Sequence, residues 1–271
     1  MPIFDTHAHY DDHAFDEDRN ALLAAFPANG VCGVINAAVD IPSCESSLAL
    51  AHAFPFVYAA VGVHPGELEG LTDADLEPMM EQVARLYADE KAVAIGEIGL
   101  DYHYDTTPRE MQRKWFARQV ELAVALDAPV IVHDREAHED TLNILKHYKP
   151  KGVVHCFSGS VETMKEIVSL GMYIGLGGAT TFKNAVKPLE VAKAVPADRL
   201  LLETDAPYMA PVPLRGKRCD STMIAYSAAV IAGVRGITVD ELLKKTAALF
   251  MDDLEAMIET DDSCQWPTEI R

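Results

Sequence analysis

At 271 residues the chain has room for one α/β barrel or two small domains, and length enough to bury a core without disulfides or a structural metal. Hydrophobic residues make up 49% and charged residues 24%, and no stretch approaches the ~18 uninterrupted apolar residues of a membrane helix. A formal charge of −19 excludes a broad electropositive platform for nucleic acid, although a metal-lined cleft can still accept one because divalent ions reverse the local field.

The chain opens on Ile3-Phe4, a short buried strand, followed by Asp5-Thr6-His7-Ala8-His9. Polar residues interrupt this opening almost at once, so it does not read as a leader, and a cytoplasmic location without membrane contact is expected. Side chains alternate across a strand, so His7 and His9 point to one side and offer two imidazole lone pairs where the strand ends. Alone, a His-x-His pair is a weak signal; its weight depends on ligands at other strand ends.

Further β-rich runs follow at Val31 to Val39, Val57 to Val63, Val93 to Leu100, Val130 to Val132, Val153-Val154, Tyr173 to Leu176 and Leu200 to Leu202. Helical spacing fills intervening segments such as Glu110 to Leu126, Ala137 to Tyr148, Val161 to Leu170 and Ala185 to Ala194. Thr222 to Ala232 and Thr238 to Ile258 read as closing helices. Eight strand–helix units predict a (β/α)₈ TIM barrel in one domain, residues 1–259, with a polar tail over 260–271. An open doubly wound sheet is the alternative, but it would place a glycine-rich loop where His7-Ala8-His9 stands. Five widely spread cysteines (Cys32, Cys44, Cys156, Cys219, Cys264) fit reduced thiols.

The strand ends carry His7, His9, His64, Glu97, His133, His155 and Asp205, and barrel enzymes build their sites at this C-terminal rim. Four histidines, a glutamate and an aspartate exceed what one tetrahedral ion with an open position needs. They suit two divalent ions bridged by Glu97, clamping the attacking and leaving oxygens of a hydrolysis. Each residue has a bland role open to it, such as a turn cap for Asp205 or an arginine partner for Glu97. Those roles would have to coincide at five strand ends. His13, His52, His103, His138 and His147 lie in loops or helices and read as ordinary polar residues. His64 is left outside the six ligands and is expected to touch a substrate oxygen. Arg135, with Arg215, Lys217 and Arg218 of the loop Arg215-Gly216-Lys217-Arg218, is expected to bind substrate anions. Ser158 and Gly159 fit either a turn or a substrate contact.

With these residues in place the chain resembles the TatD family of metal-dependent hydrolases, within the amidohydrolase-like barrels. The segments that carry the resemblance are Phe4-Asp5-Thr6-His7-Ala8-His9, Val61-Gly62-Val63-His64-Pro65, Gly96-Glu97-Ile98-Gly99-Leu100-Asp101-Tyr102, Val132-His133-Asp134-Arg135, His155-Cys156-Phe157-Ser158-Gly159, Leu202-Glu203-Thr204-Asp205-Ala206-Pro207-Tyr208 and the basic loop. The resemblance implies that His7, His9, Glu97 and Asp205 hold one ion and that Glu97, His133 and His155 hold the second. It also implies a deoxyribonuclease with 3′-to-5′ exonuclease action. The narrow barrel rim and the lack of a basic platform favour single-stranded ends. Asp205, as a ligand within reach of the bound water, is the expected general base, and Zn, Mg or Mn is the expected metal. Glu97 replaces the carboxylated lysine common elsewhere in the superfamily. Ester or amide hydrolysis, such as deacylation of D-aminoacyl-tRNA, is the alternative on the same ligands, and a non-catalytic metal-binding protein the minor one. The sequence leaves oligomeric state open, and a monomer is compatible with it. Two departures stand out. The basic loop continues as Cys219-Asp220-Ser221 rather than Asn-Glu-Pro, and Thr246-Ala247-Ala248-Leu249-Phe250 lacks the family's asparagine.

Overall fold

The computed structural model describes residues 2–104 and 106–258, with side chains to residue 249. Eight strands, β1 (Ile3–Ala8), β2 (Val31–Ala37), β3 (Val57–Val61), β4 (Ala92–Asp101), β5 (Val130–Arg135), β6 (Gly152–Val154), β7 (Tyr173–Leu176) and β8 (Leu200–Leu202), pair in parallel in sequence order. Helices α1 (Arg19–Ala25), α2 (Ile41–Ala53), α3 (Asp73–Tyr87), α4 (Arg109–Ala125), α5 (His138–Tyr148), α6 (Val161–Ser169), α7 (Val186–Ala194) and α8 (Ile224–Arg235) alternate with them. A final helix, α9 (Val239–Ile258), packs against β1 and β8. The result is the (β/α)₈ barrel expected from the strand count. No single helix among the described residues is long and apolar enough to cross a membrane. The expected polar tail, 260–271, lies outside the described residues, as does Cys264; Cys32, Cys44, Cys156 and Cys219 are free thiols.

Side chains fill the two sides of the sheet separately. Within the ring, Phe4, Ile35, Tyr58, Val93, Ile131, Val153 and Leu201 meet Ala247 of α9. Gly33 belongs to this layer, because a Cβ there would come within 2.1 Å of the Phe4 ring. Outside it, Trp115, Phe116 and Val120 of α4 join Ile95, Ile98 and Leu100 in the layer between sheet and helices. Side-chain caps fix the starts of four helices: Asp40 on α2, Thr72 in a capping box on α3, Ser160 on α6 and Thr238 on α9.

Strand bounds differ from the sequence expectation in an informative way. β1 runs on through His7 instead of ending at Phe4, because its backbone finds partners on both neighbours. β3 stops at Val61 rather than Val63, since the Gln119 side chain takes both backbone groups of Val63 (2.8 and 2.9 Å). β2 stops at Ala37 rather than Val39, whose N–H donates to Ser43 Oγ at 3.2 Å.

The first and last strands meet through main chain and one carboxylate. His9 N–H donates to Ala206 O (2.7 Å), Asp205 N–H to His7 O (2.9 Å) and Thr6 Oγ1 to Leu202 O (3.1 Å). Asp5, with no solvent exposure, accepts from Thr204 N (2.9 Å), Thr204 Oγ1 (2.5 Å), Ser221 Oγ (2.7 Å) and His7 N (3.3 Å). Burial lifts its carboxyl to about 6 against the pull of these donors. Asp5→Ala strands three of those donors in the core and is expected to cost about 3 kcal/mol of unfolding free energy. Denaturant unfolding in excess chelator measures this apart from metal binding, and a loss below about 1 kcal/mol would remove Asp5 as the closing clamp.

Candidate metal centre

Five strand ends converge on the carboxylate of Glu97 in β4, which is 3% exposed. Its Oε2 faces His7 Nε2 at 3.3 Å and His9 Nε2 at 3.5 Å, while its Oε1 faces His155 Nε2 at 2.7 Å and His133 Nδ1 at 2.8 Å. Asp205 Oδ1 completes the first side, 3.4 Å from His9 Nε2 and 3.6 Å from His7 Nε2. The donor set separates into groups able to hold an ion: His7, His9 and Asp205; His7, Glu97 and His155; and His64, Glu97 and His133. All six residues expected as ligands therefore lie together, with Glu97 turned toward both sides.

The hydrogen bonds around the imidazoles fix which nitrogens are free. His9 Nδ1 lies 2.7 Å from Ala37 O, which can only accept, so Nδ1 carries the proton and Nε2 presents its lone pair. That lone pair faces His7 Nε2 at 3.1 Å and two carboxylates. His133 Nε2 is 3.1 Å from Asp101 Oδ2, which leaves Nδ1 bare toward Glu97 and His155. Lone pairs pointed at one another repel unless a cation lies between them. Ligands ~2.1 Å from a tetrahedral ion stand ~3.4 Å apart, and the His7–His9–Asp205 separations of 3.1–3.6 Å bracket that figure. The residues fit divalent metal.

His64 is different. Its Nδ1 accepts the Gly66 N–H at 3.0 Å, so the neutral ring carries its proton on Nε2, 3.6 Å from Glu97 Oε1. Burial, helped by His133 and His9, holds its pKa down at about 3, so at neutral pH it is an uncharged donor. Distance alone groups it with the ligands; its tautomer sets it apart from them.

Protons report the same crowding. Burial works against charge on His9 and His133, yet Asp205 and Glu97 raise His9 to about 9, and Asp101 and Glu97 raise His133 to about 10. Burial likewise opposes ionisation of Glu97, but His155, His7 and His64 hold its carboxyl well below the usual range. His7, surrounded by other imidazoles and fully buried, drops to about 4. Asp205 sits at φ 63°, a left-handed conformation costly for a residue with a Cβ, which its surroundings impose.

Two carboxylates of the centre were not singled out from sequence. Asp101 orients His133, and its position four residues after Glu97 on the same strand puts both on one face. Glu203 accepts from the Cys156 N–H beside His155, with Oε2 buried and unpartnered, and burial lifts it to about 8. A Cβ on Gly175 would come within 2.3 Å of that oxygen, so the glycine leaves the carboxyl its space.

The expected anion-binding residues are placed unevenly. Arg135 ends β5 with its guanidinium 4.8 Å from the Tyr104 ring. Arg215 lies over Phe182 at 3.9 Å and donates to Ala210 O. Arg218 makes a two-pronged pair with Asp18 (2.7 and 2.6 Å), and Lys217 is exposed. Gly159 packs against the Phe157 ring, which favours the turn role. The divergent loop is put to use: Asp220 caps the turn over Thr222, and Ser221 reaches Asp5. His52, His103 and His138 pair with Asp89, Glu136 and Asp134, away from the donor groups.

A sequence profile described as "TatD related DNase" matches residues 4–252. The chain belongs to the TatD family. The uncharacterized metal-dependent hydrolase YabD of Bacillus subtilis is 39% identical over 247 residues, 90% of this chain and 95% of that protein. The 3′-5′ ssDNA/RNA exonuclease TatD of Klebsiella pneumoniae is 31% identical over 254 residues, covering 91% and 95%. The crystal structure of YjjV, a TatD homolog from Escherichia coli, superposes with a TM-score of 0.84 at 36% identity, covering 91% of this chain and 95% of the other. The chain is thus a TatD-family metal-dependent hydrolase acting on ester bonds.

Protons on His9 and His133 compete with metal, so affinity is expected to rise with pH from 7 to about 10 and to fall on acidification. Calorimetric zinc titrations in buffers of different ionisation enthalpy should show proton release at pH 7. Heats that do not depend on the buffer would contradict the assignment.

Proposed function

We propose that this TatD-family hydrolase is a two-metal exonuclease that removes nucleotides from 3′ ends of single-stranded DNA or RNA. The observation that carries the reading is the Glu97 carboxylate, one oxygen turned to the His7–His9 side and the other to His133 and His155. The Klebsiella relative, named a 3′-5′ ssDNA/RNA exonuclease, supports the choice of substrate. In this reading His7, His9, Glu97 and Asp205 hold one divalent ion and Glu97, His133 and His155 the other; the histidine-rich set favours a transition metal over magnesium. Bound ions supply an acidified water and positive charge at the phosphoryl oxygens.

The remaining work falls to side chains. Burial opposes ionisation of Asp205, but its hydrogen bond with His9 holds the carboxyl low, so it is ionised and takes the proton of the attacking water. His64 donates its Nε2 hydrogen to a phosphoryl oxygen, and Arg135 adds a guanidinium at the end of β5. Asp101 keeps the His133 ring in place and Ala37 O keeps that of His9.

Metal-loaded protein is expected to shorten a 3′-ended single-stranded oligonucleotide stepwise. Deacylation of D-aminoacyl-tRNA with the oligonucleotide left intact would overturn the reading. Asp205→Asn should lower kcat by ~10²–10⁴-fold on the oligonucleotide, with metal content counted alongside; undiminished turnover would end its role as base. His64→Ala is expected to keep both metals and lose ~10²-fold in kcat/KM, the effect of one transition-state donor. Loss of metal in that variant would make His64 a ligand instead.

A further inference from the structure

Among the large hydrophobic side chains left most open to solvent are two tyrosines of the catalytic rim, Tyr104 at 57% and Tyr208 at 55% exposed. Tyr104 follows β4 and Tyr208 follows β8. In a ring of eight strands these are four apart, so the two residues stand on opposite sides of the metal centre.

Each ring is held by the centre itself. The Tyr104 backbone N–H donates to Asp101 Oδ1 at 3.1 Å, while the other oxygen of that carboxylate holds His133. The Arg135 guanidinium packs against the Tyr104 ring at 4.8 Å, and His103 meets it edge-on at 5.0 Å. On the far side the Tyr208 N–H donates to Asp205 O (2.8 Å), its hydroxyl donates to Asp12 Oδ2 (3.0 Å), and its ring stands 6.4 Å from that of His9. Exposing so much aromatic surface on backbone that is tied to carboxylate residues of the metal centre costs burial energy with no return to the fold.

The charge of the chain sharpens the point. Proteins that grip nucleic acid through counterion release need many free cations, and this one carries −19, with Arg218 paired to Asp18 and Arg215 over Phe182. Beyond the one phosphate that the metals, His64 and Arg135 would hold, affinity for a strand must come from contacts to the bases. Aromatic faces stack on any base without reading its identity.

We propose that Tyr104 and Tyr208 are base-stacking platforms flanking the scissile phosphate, so that an unpaired strand lies across the rim between them. This rests on the exonuclease reading. It accounts for a preference for single strands, since bases in a duplex already stack on one another and offer no free face.

The test compares an intact oligonucleotide with one of equal length whose terminal nucleotides are abasic, for the metal-loaded protein. The intact strand is expected to show a KM ~10-fold lower, with similar kcat, and this ratio should shrink toward one in Tyr104→Ala and in Tyr208→Ala. Tyr104→Phe, which keeps the ring, should restore it. Equal KM values for the two strands in the unmodified enzyme, or a ratio that survives both alanine variants, would overturn the platforms and leave the exonuclease reading standing. A protein that cleaves neither strand overturns that reading first and the platforms with it.

Discussion

The joint between the first and last strands is the constraint on which the rest of this molecule depends. A parallel barrel exists only if its ends meet, and here they meet around one buried carboxylate, Asp5, which binds backbone and hydroxyl groups of Thr204 and the hydroxyl of Ser221. The same joint hydrogen-bonds His7 O to the backbone of Asp205. Closing the ring and placing Asp205 opposite His7 and His9 are therefore one event. Asp5 acts on the metal side through the backbone of His7 and not through an imidazole, which makes it a clamp on the strand and not an orienting partner of a ligand ring.

At the rim the barrel gathers more lone pairs than a folded protein ordinarily tolerates in one place. Most buried polar groups find a complementary donor or acceptor; here acceptors face acceptors, and only a cation or a proton satisfies them. The groups around the rim enforce this. Ala37 O fixes the His9 tautomer and Asp101 that of His133, in each case turning the unprotonated nitrogen inward. Gly66 does the reverse for His64. Neighbouring imidazoles thus divide into ligand and donor by what binds their other nitrogen, a distinction invisible in any list of distances.

An acidic surface is compatible with the anionic substrate proposed above because the positive charge that bound ions supply is local. Divalent ions at the centre reverse the field over a few ångströms, and the surface beyond contributes little pull. The basic loop after β8 mostly serves the fold, with Arg218 tied to Asp18 and Arg215 lying on an aromatic ring. In the proposed reading, recognition is left to the metals, to Arg135 and to the groups the rim leaves open.

Much of this was legible in the linear chain. Alternating β-rich and helical stretches give the barrel by count, and titratable residues at the ends of most of the eight apolar runs mark the rim, so His7, His9, His64, Glu97, His133, His155 and Asp205 stand out before any folding is considered. Local pattern carried that information because strand periodicity and strand ends are local properties. Asp101, Glu203 and the tautomer that makes His64 a donor were out of reach, since each depends on a hydrogen-bond partner seen only in the fold: His133, the Cys156 backbone, the Gly66 N–H. Strand ends followed the same logic, with β3 cut short by a glutamine 56 residues away. The sequence by itself determined which side chains could bind metal. Only the closed barrel decided which nitrogen and which oxygen each one presents, because that choice is made by hydrogen bonds between segments that meet only after the ring has closed.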